Sequence, residues 1–169
     1  MEAYDAIHTV LAVREFQDKP VPESVLNKII EAARLTASSR NGQPWHFVIV
    51  QNRDTLTKLG ALMSSGPYNA QAAFAIAVGI DKSSPFGVSD AGRAIQSMVL
   101  TAWAEGVGSN WTGWLGMPEV EKLLNIPDTI DVIAVVPFGY DTKERAGGKK
   151  NRKALSEIAH REKFGQPFA

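Results

Sequence analysis

Apolar residues recur along the chain in two patterns, one every three to four positions and one in unbroken runs. Residues 3 to 13 place Ala3, Ile7, Val10 and Leu11 at helical spacing. Pro22 and Glu23 open a second helix, the proline suiting a first turn, and Val25, Leu26, Ile29, Ile30 and Ala33 form its buried face. HFVIVQ (46–51) reads as a strand and RDTLTKLGALM (53–63) as a short helix. AFAIAVGI (73–80) is apolar on both faces, the mark of a strand covered on two sides. The longest helix runs through AGRAIQSMVLTAWAE. Ser89 or Asp90 caps it, Gly106 stops it, and Ala91, Ala94, Ile95, Met98, Val99, Ala102 and Trp103 point inward. GSNWTGWLG (108–116) reads as a strand passing into a loop, PEVEKLL as a short helix, IDVIAVVPFGY (130–140) as a strong strand and RKALSEIAHREKFG (152–165) as a closing helix. This order predicts an α+β or α/β sandwich, with a sheet of about four or five strands and helices on both faces.

One joint stands out from the periodic segments. In TASSRNGQPWHFVIV (36–50) a helix stops, a polar corner follows, and a strand begins.

Composition narrows the function classes. A chain of 169 residues suits one domain, 1–169, with a sizeable core, and 44% hydrophobic content is ordinary for a globular protein. Lys plus Arg and Asp plus Glu both number 18. The net charge of zero gives no reason to expect nucleic acid or a membrane surface as partner, and opposes self-association little. The absence of Cys excludes disulfides, thiolate catalysis and Cys-ligated metals. MEAYDAIHTVLAVREF does not read as a signal peptide, and no apolar run approaches the roughly 20 residues that span a bilayer, so a soluble cytoplasmic protein is expected. AGGKKNRK (146–153) is linker-like.

The usual catalytic sets are missing. His8, His46 and His160 are scattered, with no Glu or second His at a metal-binding offset. There is no G-x-S-x-G elbow and no P-loop, and EGVGSN lacks the third Gly of a dinucleotide fingerprint and follows a helix. Metal hydrolysis, acyl transfer and NTP hydrolysis are poorly supported. Trp45, Trp111 and Trp114 sit near element ends, where packing is the commoner role of a Trp. A protein without its own nucleophile or acid–base cluster can still do chemistry that a cofactor carries. A flavin asks for cations or helix N-termini at its phosphate, a donor near N5, and positive charge near N1 and O2. Arg14, Arg40 and Arg152 are cations able to meet such needs, though spacing alone does not single them out.

The joint, the helix DAGRAIQSMVLTAWAEGVGSNW, the strand VIAVVPFGY and the segment RKALSEIAHREKFG, taken with AIHTVLAVREFQDKPVPESVLNKIIEAARL, resemble the nitroreductase family of FMN-dependent oxidoreductases. The resemblance spans most of the chain. It implies an α+β fold, a three-layer α/β/α sandwich with a mostly antiparallel sheet, and a homodimer with FMN at the interface. The implied reaction is ping-pong: NAD(P)H reduces the flavin, which then reduces a nitroaromatic, quinone or similar electron-poor acceptor. By position, Arg14 matches the basic residue near the flavin pyrimidine. Ser38, Ser39, Arg40 and Asn41 match the corner that reaches the partner subunit's flavin, and Gln43 supports it. Thr112, Gly113 and Trp114 match the segment beside the ring, where a backbone N–H faces N5, and Arg152 matches the C-terminal phosphate contact.

Against this stand readings in which Arg14 pairs with Glu15 or Asp18, the Ser pair is only a turn, and Arg152 is a solvated charge. The chain also departs from the family. Where members carry a tandem basic pair and Ser against the phosphate, it has Val10, Leu11 and Ala12, and the Pro before the Ser pair is Ala37. Lost charge-assisted hydrogen bonds are worth roughly 1.5–3 kcal/mol each. Either Arg40, Arg152, Arg93 or Arg161 compensates, or FMN binds weakly, or a different flavin-like ligand is used. The alternative function is a non-catalytic relative that binds or delivers flavin. The chain is short for the family, which implies an open site.

Overall fold

The structure, a computed structural model, describes residues 1–114, 117–143 and 150–168. Its one sheet holds β1 (Trp45–Val50), β2 (Phe74–Asp81), β3 (Gly108–Ser109) and β4 (Ile130–Gly139) in the order β1-β2-β4-β3, and every pairing is antiparallel. The helices are α1 (Ala3–Thr9), α2 (Glu23–Arg34), α3 (Arg53–Leu62), α4 (Gly87–Ala104), α5 (Pro118–Leu123) and α6 (Leu155–Ile158). No helix among the described residues is long and apolar enough to cross a membrane.

The central strands β2 and β4 are apolar throughout because both faces of the sheet are covered. Phe74, Ile76 and Val78 pack under α2 and α4, against Ile29, Ile95 and Met98. Ala75 and Ala77 face the other way, toward Leu56 and Leu59 of α3 and Val120 of α5. Burying each of the larger side chains contributes roughly 1.5–3 kcal/mol. A bulge adjusts β4: Val78 pairs with Ala134 but Gly79 with Val132, leaving Ile133 extra. Ile133 and Ala134 consequently share the α2–α4 face, while Val132 and Val135 share the other. The result is the expected α+β fold, helices on both faces of a four-stranded antiparallel sheet.

Three expected elements are shorter. The helix expected over 3–13 ends at Thr9, and Ala6 is its buried residue; Ala3 and Ile7 face solvent. The chain leaves the helix at Val10 because residues beyond it find backbone partners in the sheet. Ala12 bridges Ser109, the Val13 N–H donates to Ser109 O (2.9 Å), and Phe16 bridges Asp141. The strand expected over 108–116 is Gly108–Ser109 plus an isolated bridge at Thr112; Leu115 and Gly116 lie outside the described residues. The closing helix expected over 152–165 is a single turn, Leu155–Ile158, with no buried residue. Its apolar side chains Leu155 and Ile158 are exposed among the described residues, and propensity alone does not hold so short a helix. Residues 146–149 of the linker-like stretch also lie outside the described residues.

At α4 the start moves. The helix begins at Gly87, so Ser89 and Asp90 lie inside its first turn rather than capping it. Gly106, at φ 80°, does follow its end as expected.

Candidate active site

The polar corner is a built structure. Ser39–Asn41 form one turn of 3-10 helix, and Arg40, Asn41 and Gln43 all lie in the left-handed region (φ 54°, 56° and 47°). Each such residue costs about 1–2 kcal/mol, less for Asn. Gly42, the residue best suited to that region, has φ −71°. Asp90 holds the corner. Its Oδ2 accepts the Ser39 N–H and its Oδ1 the Ser39 hydroxyl, both at 3.0 Å, and Arg93 pairs with the same carboxylate. Asp90 is 1% exposed. The Gln43 N–H donates to Ser38 Oγ (3.0 Å) and its side-chain amide to Asn41 O (3.3 Å), bracing the corner from the far side. Arg40 is exposed, with its guanidinium 5.9 Å from the Phe86 ring centre.

Arg14 lies on the extended segment after α1, exposed between buried Val13 and Phe16. Phe16 packs onto Gly139 so closely that a Cβ there would come within 2.8 Å of the ring, which seats this segment on β4. Glu15 is not the partner of Arg14. Lys143 takes it at 3.1 Å and the Thr142 hydroxyl at 3.3 Å, and the hydrogen bond from Lys143 holds its carboxyl below the ordinary range. Among the described residues Arg14, Arg40 and Arg152 make no ion pair.

The 112–114 segment divides its roles. Thr112 is buried and its donors are spent on β4: N–H and hydroxyl both go to Val135 O, at 3.0 and 2.5 Å. The hydroxyl also accepts from Asn69 Nδ2 (3.2 Å). Two N–H groups of this segment, those of Gly113 and Trp114, have no partner among the described residues. Gly113 sits at φ 82°, where a side chain would in addition collide with Met117 and Met63. Its carbonyl accepts the Trp111 indole N–H (3.1 Å), and Trp114 is exposed, 6.4 Å from the Trp111 ring.

Val10, Leu11 and Ala12 form one wall of a cleft of about 200 Å³ whose other walls are Ile95, Gln96 and Val99 of α4 and residues 109–111. Charge reaches this place from far along the chain. Lys150 Nζ donates to Ile7 O (2.6 Å), at the C-terminal end of α1 and one turn from Val10. Burial, and then the positive charge of Arg152, holds the Lys150 amine below the ordinary lysine value. Arg152 donates to Asn151 O (2.9 Å). Of the other expected compensators, Arg93 is committed to Asp90, and Arg161 donates to Phe168 O (2.9 Å) within the C-terminal hairpin. Local sequence carries no signal for Lys150, because only tertiary contact brings it to α1. Asp90 was read as a cap; its place in the apolar stripe, one turn before Ala94, was the available signal.

Within one chain these groups form two clusters. The corner sits at the start of α4, and the cleft lies beside Ile95 to Val99, up to nine residues on, or roughly 13 Å of helix axis.

The nitroreductase family description matches residues 11–80 and 68–140. The chain belongs to the nitroreductase family. A protein of Methanothermobacter thermautotrophicus, provisionally named NADH dehydrogenase/NAD(P)H nitroreductase, is 33% identical over 83% of this chain and 78% of its own length. A crystal structure of a provisionally named NADH dehydrogenase/NAD(P)H nitroreductase from Parabacteroides distasonis superimposes with a TM-score of 0.86 at 30% identity, covering 94% of this chain and 96% of that one. The FMN reductase [NAD(P)H] of Bacillus subtilis is 25% identical over 90% of this chain but only 70% of its own length.

Proposed function

We propose that this nitroreductase-family chain is an FMN-dependent NAD(P)H oxidoreductase acting on nitroaromatics, quinones or similar electron-poor acceptors. The observation that carries the reading is Lys150, bonded to Ile7 O one turn before the Val10–Ala12 cleft wall, with the charge of Arg152 close enough to lower its amine. A flavin mononucleotide needs cations for its phosphate, and Lys150 brings one to the end of α1 that leads into this wall. When bound, FMN supplies the two-electron chemistry, accepting hydride from NAD(P)H and passing electrons to the acceptor in ping-pong order.

The residues then divide the remaining work. Lys150 and Arg152 hold the phosphate. Arg14, free of Glu15, places positive charge near the pyrimidine, where reduction builds negative charge. The open Gly113 N–H is the donor for the ring edge, and Trp114 lies beside it. Ser38, Ser39, Arg40, Asn41 and Gln43 belong to the second copy's site, which agrees with the separation of the corner from the cleft in one chain. A homodimer also accounts for the apolar side chains left exposed on α1 and the C-terminal segment: Tyr4, Ile7, Leu155, Ile158 and Phe164.

Purified protein is expected to be yellow, to release FMN by mass, and to bleach with NADH or NADPH until an acceptor is added. A colourless protein that takes up no added FMN rejects the proposal. The apolar Val10–Leu11–Ala12 wall favours a second reading, a flavin carrier without turnover; flavin uptake with no NAD(P)H oxidation by any acceptor would select it.

A further inference from the structure

Resting on the flavin-site reading of the corner, we propose that Asp90 is a positioning residue for the cofactor: its buried carboxylate holds the Ser38–Gln43 corner in the strained form that meets FMN. Three side-chain-bearing residues of the corner are left-handed while its only glycine is not. A simple turn would exchange the arrangement, placing glycine where φ is positive. Strain of this kind persists only where surrounding structure over-determines it, and it gathers at functional sites.

The over-determining contacts converge on one group. Asp90 takes both the N–H and the hydroxyl of Ser39, at 3.0 Å each, and is neutralised by Arg93. From Ser39 the constraint passes through the turn: the Gly42 N–H returns to Ser39 O (3.0 Å) and the Asn41 N–H to Ser38 O (3.1 Å). The corner side chains are largely exposed, so this machinery buries little apolar surface. Its product is a fixed direction for Ser39, Arg40 and Asn41. A carboxylate suits the task because its two oxygens only accept, and every neighbour donates. An amide of the same shape would point a donor at Ser39 or at Arg93.

The test compares the wild-type protein with Asp90→Asn and Ser39→Ala, the second removing one of the bonds and burying no mismatched group. Amide exchange reads the clamp, FMN titration reads positioning, and turnover per bound flavin separates binding from chemistry. In Asp90→Asn, exchange across 38–43 is expected to rise tenfold or more and the FMN dissociation constant about tenfold, with kcat per bound flavin within twofold. Ser39→Ala shifts both about threefold. Unchanged exchange in a folded Asp90→Asn, or faster exchange with unchanged FMN affinity, overturns the proposal. So does an unfolded Asp90→Asn accompanied by wild-type affinity in Ser39→Ala. A wild-type protein that takes up no FMN is a different failure: it removes the flavin reading itself, and this role with it.

Discussion

The corner at 38–43 and the end of α1 that leads into the cleft wall at 10–12 each take a partner distant in sequence, but in different ways. Ser39 gets Asp90, 51 positions on, buried and held by several directional bonds. The end of α1 that leads into Val10–Ala12 gets Lys150, 143 positions from the carbonyl it contacts, on a half-buried side chain with one hydrogen bond among the described residues. The first partner sets a shape and the second supplies a charge. Shape held by a buried carboxylate is insensitive to salt; charge offered at a surface is screened within about 10 Å at 0.1 M salt.

The sharpest way to break this contrast is to remove the charge. Lys150→Ala with Arg152→Ala should weaken FMN binding roughly a hundredfold, from two charge-assisted bonds at the low end of their range, about 1.5 kcal/mol each. Fluorescence titration measures it, and in the wild type the same affinity should fall with added salt. Val10→Arg in the double variant should restore much of the loss. Retained affinity would place the phosphate elsewhere.

A smaller effect probes the strain. Arg40→Gly relieves a left-handed backbone and should raise stability in urea by up to about 1 kcal/mol. Ala12→Gly, on extended backbone with an exposed side chain, should lower it by a similar amount. Equal signs would mean that the corner stores no strain.

The smallest effect is in pH. Lys150 sits below the ordinary value of 10.5 through burial and Arg152. Its charged form is the one that binds an anion, so FMN affinity should begin to fall as pH rises through that lowered value, before an ordinary lysine would deprotonate. Lys150→Arg should abolish the fall. In the empty protein the sign reverses: between the lowered value and 10.5 the unfolded chain holds more protons, so stability rises with pH.

Periodicity was a sound guide wherever a segment buries its own face. The stripe of α4 from Ala91 to Trp103 and the runs of β2 and β4 lie where the pattern placed them, with Val99 only partly buried. It misled at both ends of the chain. Val10 and Leu11 continue a helical spacing, yet sheet pairing at Ala12 and Phe16 draws them out of it. Residues 152–165 show helical spacing, but the one turn they form buries no residue among those described. In the candidate site, the position of the corner and the missing charge at 10–12 were visible in the residues themselves. The engagement of Thr112 with Val135, the opening left at the Gly113 N–H and the removal of Arg93 by Asp90 were not.

Sequence by itself therefore determined what local spacing and residue chemistry can encode: the order of helices and strands, the two-sided burial of the sheet, the polar joint and the apolar triad at 10–12. Tertiary structure alone decided which distant groups meet that joint and the helix before that triad. Asp90 meets Ser39, and Lys150 meets α1, only after the intervening chain has closed around the core. No period of 2 or 3.6 residues carries information about a contact made across 51 or 143 positions.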